Sequence, residues 1–212
     1  MTRSAAPRYQ PHVAATMDAI PQLAQLSEAR RLAMRALAHV LPFRVSPYVV
    51  DELIDWSDIP ADPIFQLTFP QPGMLEPADL ARVSALVRNG ATPQQIRPVA
   101  DRIRLKLNPH PAGQLEHNVP RLDGVPLPGL QHKYRETVLF FPGRGQTCHS
   151  YCTYCFRWAQ FVGMEGLKFA QRETETFHAY LRRHTEVSDV LFTGGDPLIM
   201  RAWHLRAYIE PL

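Results

Sequence analysis

Long apolar runs are missing from this chain. No stretch of its 212 residues approaches the roughly 20 consecutive apolar residues that cross a bilayer, so no membrane partner is expected. An excess of charge of one sign is missing too. Lys and Arg number 23 against 20 Asp and Glu, a net charge of +3, and the basic residues are scattered. No nucleic-acid-binding face follows from that distribution. The first residues, Met1–Arg8, lead into no apolar segment, so no secretory leader is expected. Lysine is scarce, at Lys106, Lys133 and Lys168 alone. Cysteine is scarcer in kind than in number: the three lie within eight positions, which excludes a disulfide framework and fits a reducing cytoplasm. What remains is ordinary globular composition, 45% hydrophobic and 20% charged, with 20 prolines gathered in the connections.

Four regions follow from the pattern. Residues 1–20 show no period and read as a loose arm. Residues 21–107 read as a helical region. Leu23, Leu26, Ala29, Ala33, Leu37 and Val40 recur at helical spacing and predict one helix over Pro21–Val40. Ser46-Pro47 starts a second helix through Val50 and Ile54, and Asp62–Gln66 a short helical turn. Pro77 opens a third, stopped at Gly90, and Thr92-Pro93 a fourth, in which Pro98 is a candidate kink. Residues 108–133 carry Pro, Gly and His without a period and read as an irregular connection. Residues 134–212 switch pattern: an apolar strand at Thr137–Phe141, a helix from Glu173 to His184, a strand at Val190–Thr193, then Gly194-Gly195-Asp196-Pro197 and one more helix. That βαβα order predicts a parallel sheet, so the fold class is α/β.

The chemistry sits between the two strands. Cys148, Cys152 and Cys155, spaced C-x3-C-x2-C, follow the first strand directly. A structural zinc site, with His149 as fourth ligand, is the plain alternative, but such sites draw on two separated ligand pairs. Three thiolates on one loop are better suited to a [4Fe–4S] cluster that leaves one iron open for a ligand. Gly194 and Gly195 let backbone come close to a ligand at the end of the second strand, and the Asp196 carboxylate beside them suits an ammonium group. Read alone, the same residues make an ordinary tight turn. Arg157 offers a guanidinium fork of the kind that grips carboxylates, or it pairs with a local acid such as Glu165. His110, His117, His132 and His149 read as loop or surface residues.

Cys148-x3-Cys152-x2-Cys155 with Tyr154 before the last cysteine resembles the radical S-adenosylmethionine superfamily. Tyr151-Cys-Thr-Tyr-Cys-Phe-Arg157, Thr193-Gly-Gly-Asp-Pro-Leu198, Phe43-Arg-Val-Ser-Pro-Tyr48, Asp62-Pro63 and Pro128-Gly-Leu-Gln-His-Lys-Tyr134 resemble, in order, the lysine 2,3-aminomutase family. The resemblance implies a helical N-terminal region followed by the first βα units of a TIM-type barrel. It implies S-adenosylmethionine on the open iron and on Gly194, Gly195 and Asp196. It also implies a radical that takes a hydrogen atom from an amino acid held on pyridoxal phosphate, and 1,2-migration of the amino group. Arg157 would hold the substrate carboxylate and Tyr134 would help hold pyridoxal phosphate. An electron donor would reduce the cluster.

The chain departs from that pattern in three places. Thr137 stands where the family has an arginine for the phosphate, and Pro142–Gln146 lengthens the approach to Cys148. Family members also continue through further βα units that carry the imine lysine, and none of the three lysines here matches it. The expectation is an N-terminal portion of such an enzyme, from a truncated reading frame or completed by a second chain. L-lysine is the leading substrate. The alternatives are another amino acid or a protein-bound lysine, or an inactive or partner-completed cluster-binding fragment; the partner is a second chain completing the barrel or another copy in a homo-oligomer.

Overall fold

The computed structural model describes residues 9–171 and 174–212. They sort into two units: Met1–Ile103 with His149–Cys155, and Arg104–Cys148 with Phe156–Leu212.

In the first unit Ser27 decides where the long helix begins. Its side chain accepts the Arg30 N–H at 3.3 Å, and Glu28 places a negative charge in the first turn, so α1 runs Glu28–Val40. The helix expected over Pro21–Val40 is therefore two elements, because Pro21–Gln25 is a separate 3₁₀ turn. Replacing Ser27 by Ala is expected to cost about 1 kcal/mol of stability, read as a lowered urea midpoint. Residues 12–20, expected in the loose arm, are ordered: β1 (His12–Val13) pairs antiparallel with β2 (Arg44–Val45), and a 3₁₀ turn follows at Ala14–Ala19. Residues 1–8 of that arm lie outside the described residues.

After β2, Ser46 Oγ accepts the Val49 N–H at 3.2 Å and starts a π-helical turn at Val49–Leu53. Asp62 caps α2 (Pro63–Thr68) by accepting the Phe65 N–H at 2.6 Å. α3 (Pro77–Arg88) ends as expected at Gly90, whose φ of 72° supplies the left-handed stop. Ala91 N–H reaches Leu86 O and Gly90 N–H reaches Val87 O, both at 3.0 Å, the reciprocal pair that closes a helix C-terminus. α4 (Pro93–Lys106) runs on through Pro98. The core packs Met17, Ile20, Leu23, Met34, Phe43, Val45, Phe65 and Phe69, with the last two rings stacked at 4.8 Å.

The second unit holds a three-stranded sheet in the order β5 (Leu130–Tyr134), β6 (Thr137–Phe140), β7 (Asp189–Phe192). β5 and β6 are antiparallel, and β6 and β7 parallel with Phe140 opposite Phe192. A parallel pair needs a crossover, and α5 (Thr174–Arg183) provides it. Glu173, expected at its start, lies outside the described residues. α6 (Ala202–Ile209) follows β7. Phe140 is the hub of the core, stacked on Phe177 at 4.1 Å and edge-on to Tyr208 and Phe192.

The span 108–133 is not irregular throughout. It contains a small hairpin, β3 (Arg121–Leu122) with β4 (Val125–Pro126), and most of β5. The chain is mixed α/β, as expected. Among the described residues its sheets are small and form no closed barrel, so the barrel part of the expectation is not seen. Among them, too, no helix is long and apolar enough to cross a membrane.

Candidate functional site

The parallel pairing of β6 and β7 brings their C-terminal ends side by side. Thr193 N–H extends the ladder to Phe140 O at 2.9 Å. The loop that leads into Cys148 leaves the end of β6, and the glycine turn leaves the end of β7. The two touch through backbone: Asp196 N–H donates to Thr147 O at 2.8 Å. Gly195 has no room for a side chain, since a Cβ there would overlap the carbonyl oxygens of Gly145 and Thr147. Gly194 has a φ of 104°, a left-handed conformation that suits glycine, and faces the end of the Gln146 side chain. Gln146 in turn donates to Pro142 O at 2.9 Å. The atoms standing where a Cβ would be at these glycines belong to the chain's own loop, Gln146 at Gly194 and Gly145 and Thr147 at Gly195. Asp196 Oδ1 accepts the Leu198 N–H at 2.9 Å and caps the 3₁₀ turn Pro197–Ile199.

The cysteine loop divides between the units. Cys148 belongs with the sheet unit, Cys152 and Cys155 with the helical one. Cys152 is exposed, Cys148 and Cys155 are half-buried, and none is in a disulfide. Within the helical unit the loop is bound at several points. Tyr151 N–H donates to Arg44 O at 2.8 Å, and Thr153 N–H to Leu67 O at 2.7 Å. Ser46 N–H donates to Ser150 Oγ at 2.9 Å, and Thr153 Oγ1 donates to Gln66 O at 2.8 Å. Tyr9 Oη donates to His149 O at 2.9 Å, with the Tyr9 ring edge-on to the His149 ring at 5.3 Å. Sequence reasoning did not single out Thr153, Ser150 or Tyr9. For Ser150 and Thr153 the signal was a hydroxyl beside a cysteine; Tyr9, 140 residues from His149, carried none.

As a donor set, three thiols in one loop have the chemistry that an iron–sulfur cluster requires. Among the described residues no group of three His, Cys, Asp or Glu side chains is gathered to hold a metal ion. Arg157 lies in the sheet unit with its guanidinium 4.1 Å from the Phe141 ring centre and 4.9 Å from that of Phe156. Stacking of this kind fixes the plane of the cation while leaving its edge for hydrogen bonds. The His110 imidazole is held below the usual histidine range, chiefly by burial; the Arg157 charge adds to this, and the Leu167 carbonyl acts the other way.

Tyr134 is 60% exposed at the turn end of the β5–β6 hairpin, with Lys133 Nζ 5.3 Å from its ring centre. Lys168 is paired with Glu165 at 2.6 Å. Thr137 stands opposite Tyr134 in the hairpin and offers a phosphate no charge.

Neither a family model nor a solved structure matches the chain. Curated proteins do. It is 37% identical over 84 residues to a protein named putative L-lysine 2,3-aminomutase from Aquifex aeolicus (strain VF5), a match over 40% of this chain and 21% of that one. It is 34% identical over 87 residues to the L-lysine 2,3-aminomutase of Bacillus subtilis (strain 168), over 41% of this chain and 18% of that one. A longer alignment, to an Aquifex aeolicus protein again named putative L-lysine 2,3-aminomutase, is 25% identical over 183 residues, 86% of this chain and 39% of that one. The family expected from the motifs is the family of these relatives, and the chain spans well under two thirds of their length.

Proposed function

We propose that this chain is the cluster-binding portion of a radical S-adenosylmethionine aminomutase of the lysine 2,3-aminomutase type. One observation carries the reading: the three-cysteine loop at the end of β6 is bonded to the glycine turn at the end of β7, with Asp196 N–H on Thr147 O at 2.8 Å. In parallel βα folds ligands gather at that end of the strands. Cys148, Cys152 and Cys155 would hold the cluster, and Gly194, Gly195 and Asp196 would lie against the methionine end of S-adenosylmethionine. When bound, that pair supplies one-electron cleavage of a sulfonium. Arg157, its plane fixed on Phe141, would grip an amino acid carboxylate at two points. The parallel β6–β7 pair would be the first step of a TIM-type barrel. The natural substrate class is a free amino acid, with L-lysine first, and the partner is an electron donor. No step is assigned to pyridoxal phosphate on these residues.

Anaerobic reconstitution followed by electron paramagnetic resonance of the reduced protein tests the reading. A cluster signal that changes on adding S-adenosylmethionine is expected. Stoichiometric zinc with no iron sinks it. Release of 5′-deoxyadenosine with L-lysine and a reductant would extend it to catalysis.

A second reading shares the cluster but not the turnover: a fragment that is inactive alone, or one completed by another chain. It is favoured by β7, which among the described residues is paired on one side only and leaves Leu191 54% exposed. Deoxyadenosine release by the purified chain alone would overturn it.

A further inference from the structure

The N-terminal segments Phe43–Tyr48 and Asp62–Gln66 stand out in the sequence without an evident task. In the structure they, with the residue that follows the second, receive the cysteine loop. α2 is six residues long, so its last carbonyls have no partner inside the helix. Phe65 O accepts Phe69 N–H at 2.8 Å, and the next two carbonyls, Gln66 O and Leu67 O, accept the hydroxyl and the N–H of Thr153 at 2.8 and 2.7 Å. Thr153, between Cys152 and Cys155, is therefore the C-terminal cap of α2. The other side of the loop lies against β2. Pairing with β1 uses one edge of that strand, and Arg44 O and Ser46 N–H meet Tyr151 N–H and Ser150 Oγ at 2.8 and 2.9 Å. Between these anchors Cys155 N–H donates to Cys152 O at 3.1 Å.

We propose that Thr153 and Ser150 are positioning residues for the cluster: by bonding the loop to the end of α2 and the edge of β2, they fix the backbone from which Cys152 and Cys155 ligate. The proposal rests on the cluster reading above. A loop ordered in advance loses less conformational freedom on taking up the cluster and releases it more slowly. Groups behind metal ligands commonly tune the metal as well as hold it.

The test uses the full chain, reconstituted anaerobically with iron and sulfide, and follows iron loss to a strong chelator. Thr153→Val keeps the shape and the N–H but removes the hydroxyl. It is expected to lose iron roughly three- to tenfold faster than wild type, the effect of one hydrogen bond. Thr153→Ser restores the hydroxyl and should restore the rate. The electron paramagnetic resonance spectrum of the reduced cluster should change in Thr153→Val and return in Thr153→Ser, a response that general loss of stability does not produce. Ser150→Ala, which removes the acceptor for Ser46 N–H, is the independent variant should Thr153→Val not fold, and it should shed iron faster too. Wild-type loss rates and spectra in both variants overturn the proposal while leaving the cluster reading intact. A wild-type protein that takes up no iron overturns both.

Discussion

Cys152→Ala is expected to abolish the cluster. After anaerobic reconstitution the variant should hold no more iron than protein mixed with iron and passed over the same desalting column. The loop offers three thiolates and, in the proposed site, the fourth iron is already without a protein ligand. Removing one thiolate leaves two irons uncovered, which hydrolysis and oxidation then attack. The fold should not suffer. Cys152 is exposed and its thiol contributes no core packing, so the variant should keep the wild-type circular dichroism spectrum and urea midpoint. That separation makes the result decisive: iron content that survives in a folded Cys152→Ala protein means the ligands were assigned wrongly.

Gly195→Ala is expected to be the most damaging small change near the site. The added methyl group would overlap two backbone oxygens, Gly145 O and Thr147 O, and backbone cannot step aside as a side chain can. Relief requires either the Gly194–Asp196 turn or the approach to Cys148 to move, and Asp196 N–H then leaves Thr147 O. Overpacking of this sort costs about 3 kcal/mol. The urea midpoint should fall accordingly, and iron uptake should fall with it because Cys148 is the next residue after Thr147. Gly166→Ala is the control. Nothing lies within 4 Å of a Cβ at that position, so stability should be unchanged there. A Gly195→Ala protein as stable as the control would mean that the turn and the loop do not touch as described.

Much of this was legible in the sequence, and for stated reasons. The order strand, cysteine loop, helix, strand, glycine turn is local, and β6, α5 and β7 lie where the apolar runs put them. Gly90 stops α3 because a left-handed residue is a local requirement. β5 was not legible: its middle residues, Gln131, His132 and Lys133, are polar, and an edge strand need not alternate. The β3–β4 hairpin carried a signal that was passed over, Asp123-Gly124, both at positive φ (51° and 79°), the combination that closes a two-residue hairpin loop. The break at Ser27 was hidden by apolar residues that continue at helical spacing through a 3₁₀ turn. What no periodicity could reveal is that Thr153 closes α2. That bond joins residues 87 apart in sequence and exists only once the helix end has been placed beside the loop.

The capping of α2 by the cysteine loop has a consequence in time. A loop that rests on side chains can flutter on its own, in nanoseconds to microseconds. This one cannot lift without stripping two carbonyls from the end of a helix of only six residues, although Phe69 N–H stays on Phe65 O and the two rings stay stacked in the core. Loop opening and helix fraying are then a single event. The interval between openings, and with it the rate at which chelators or oxidants reach the half-buried thiol of Cys155, is set by how often α2 comes undone.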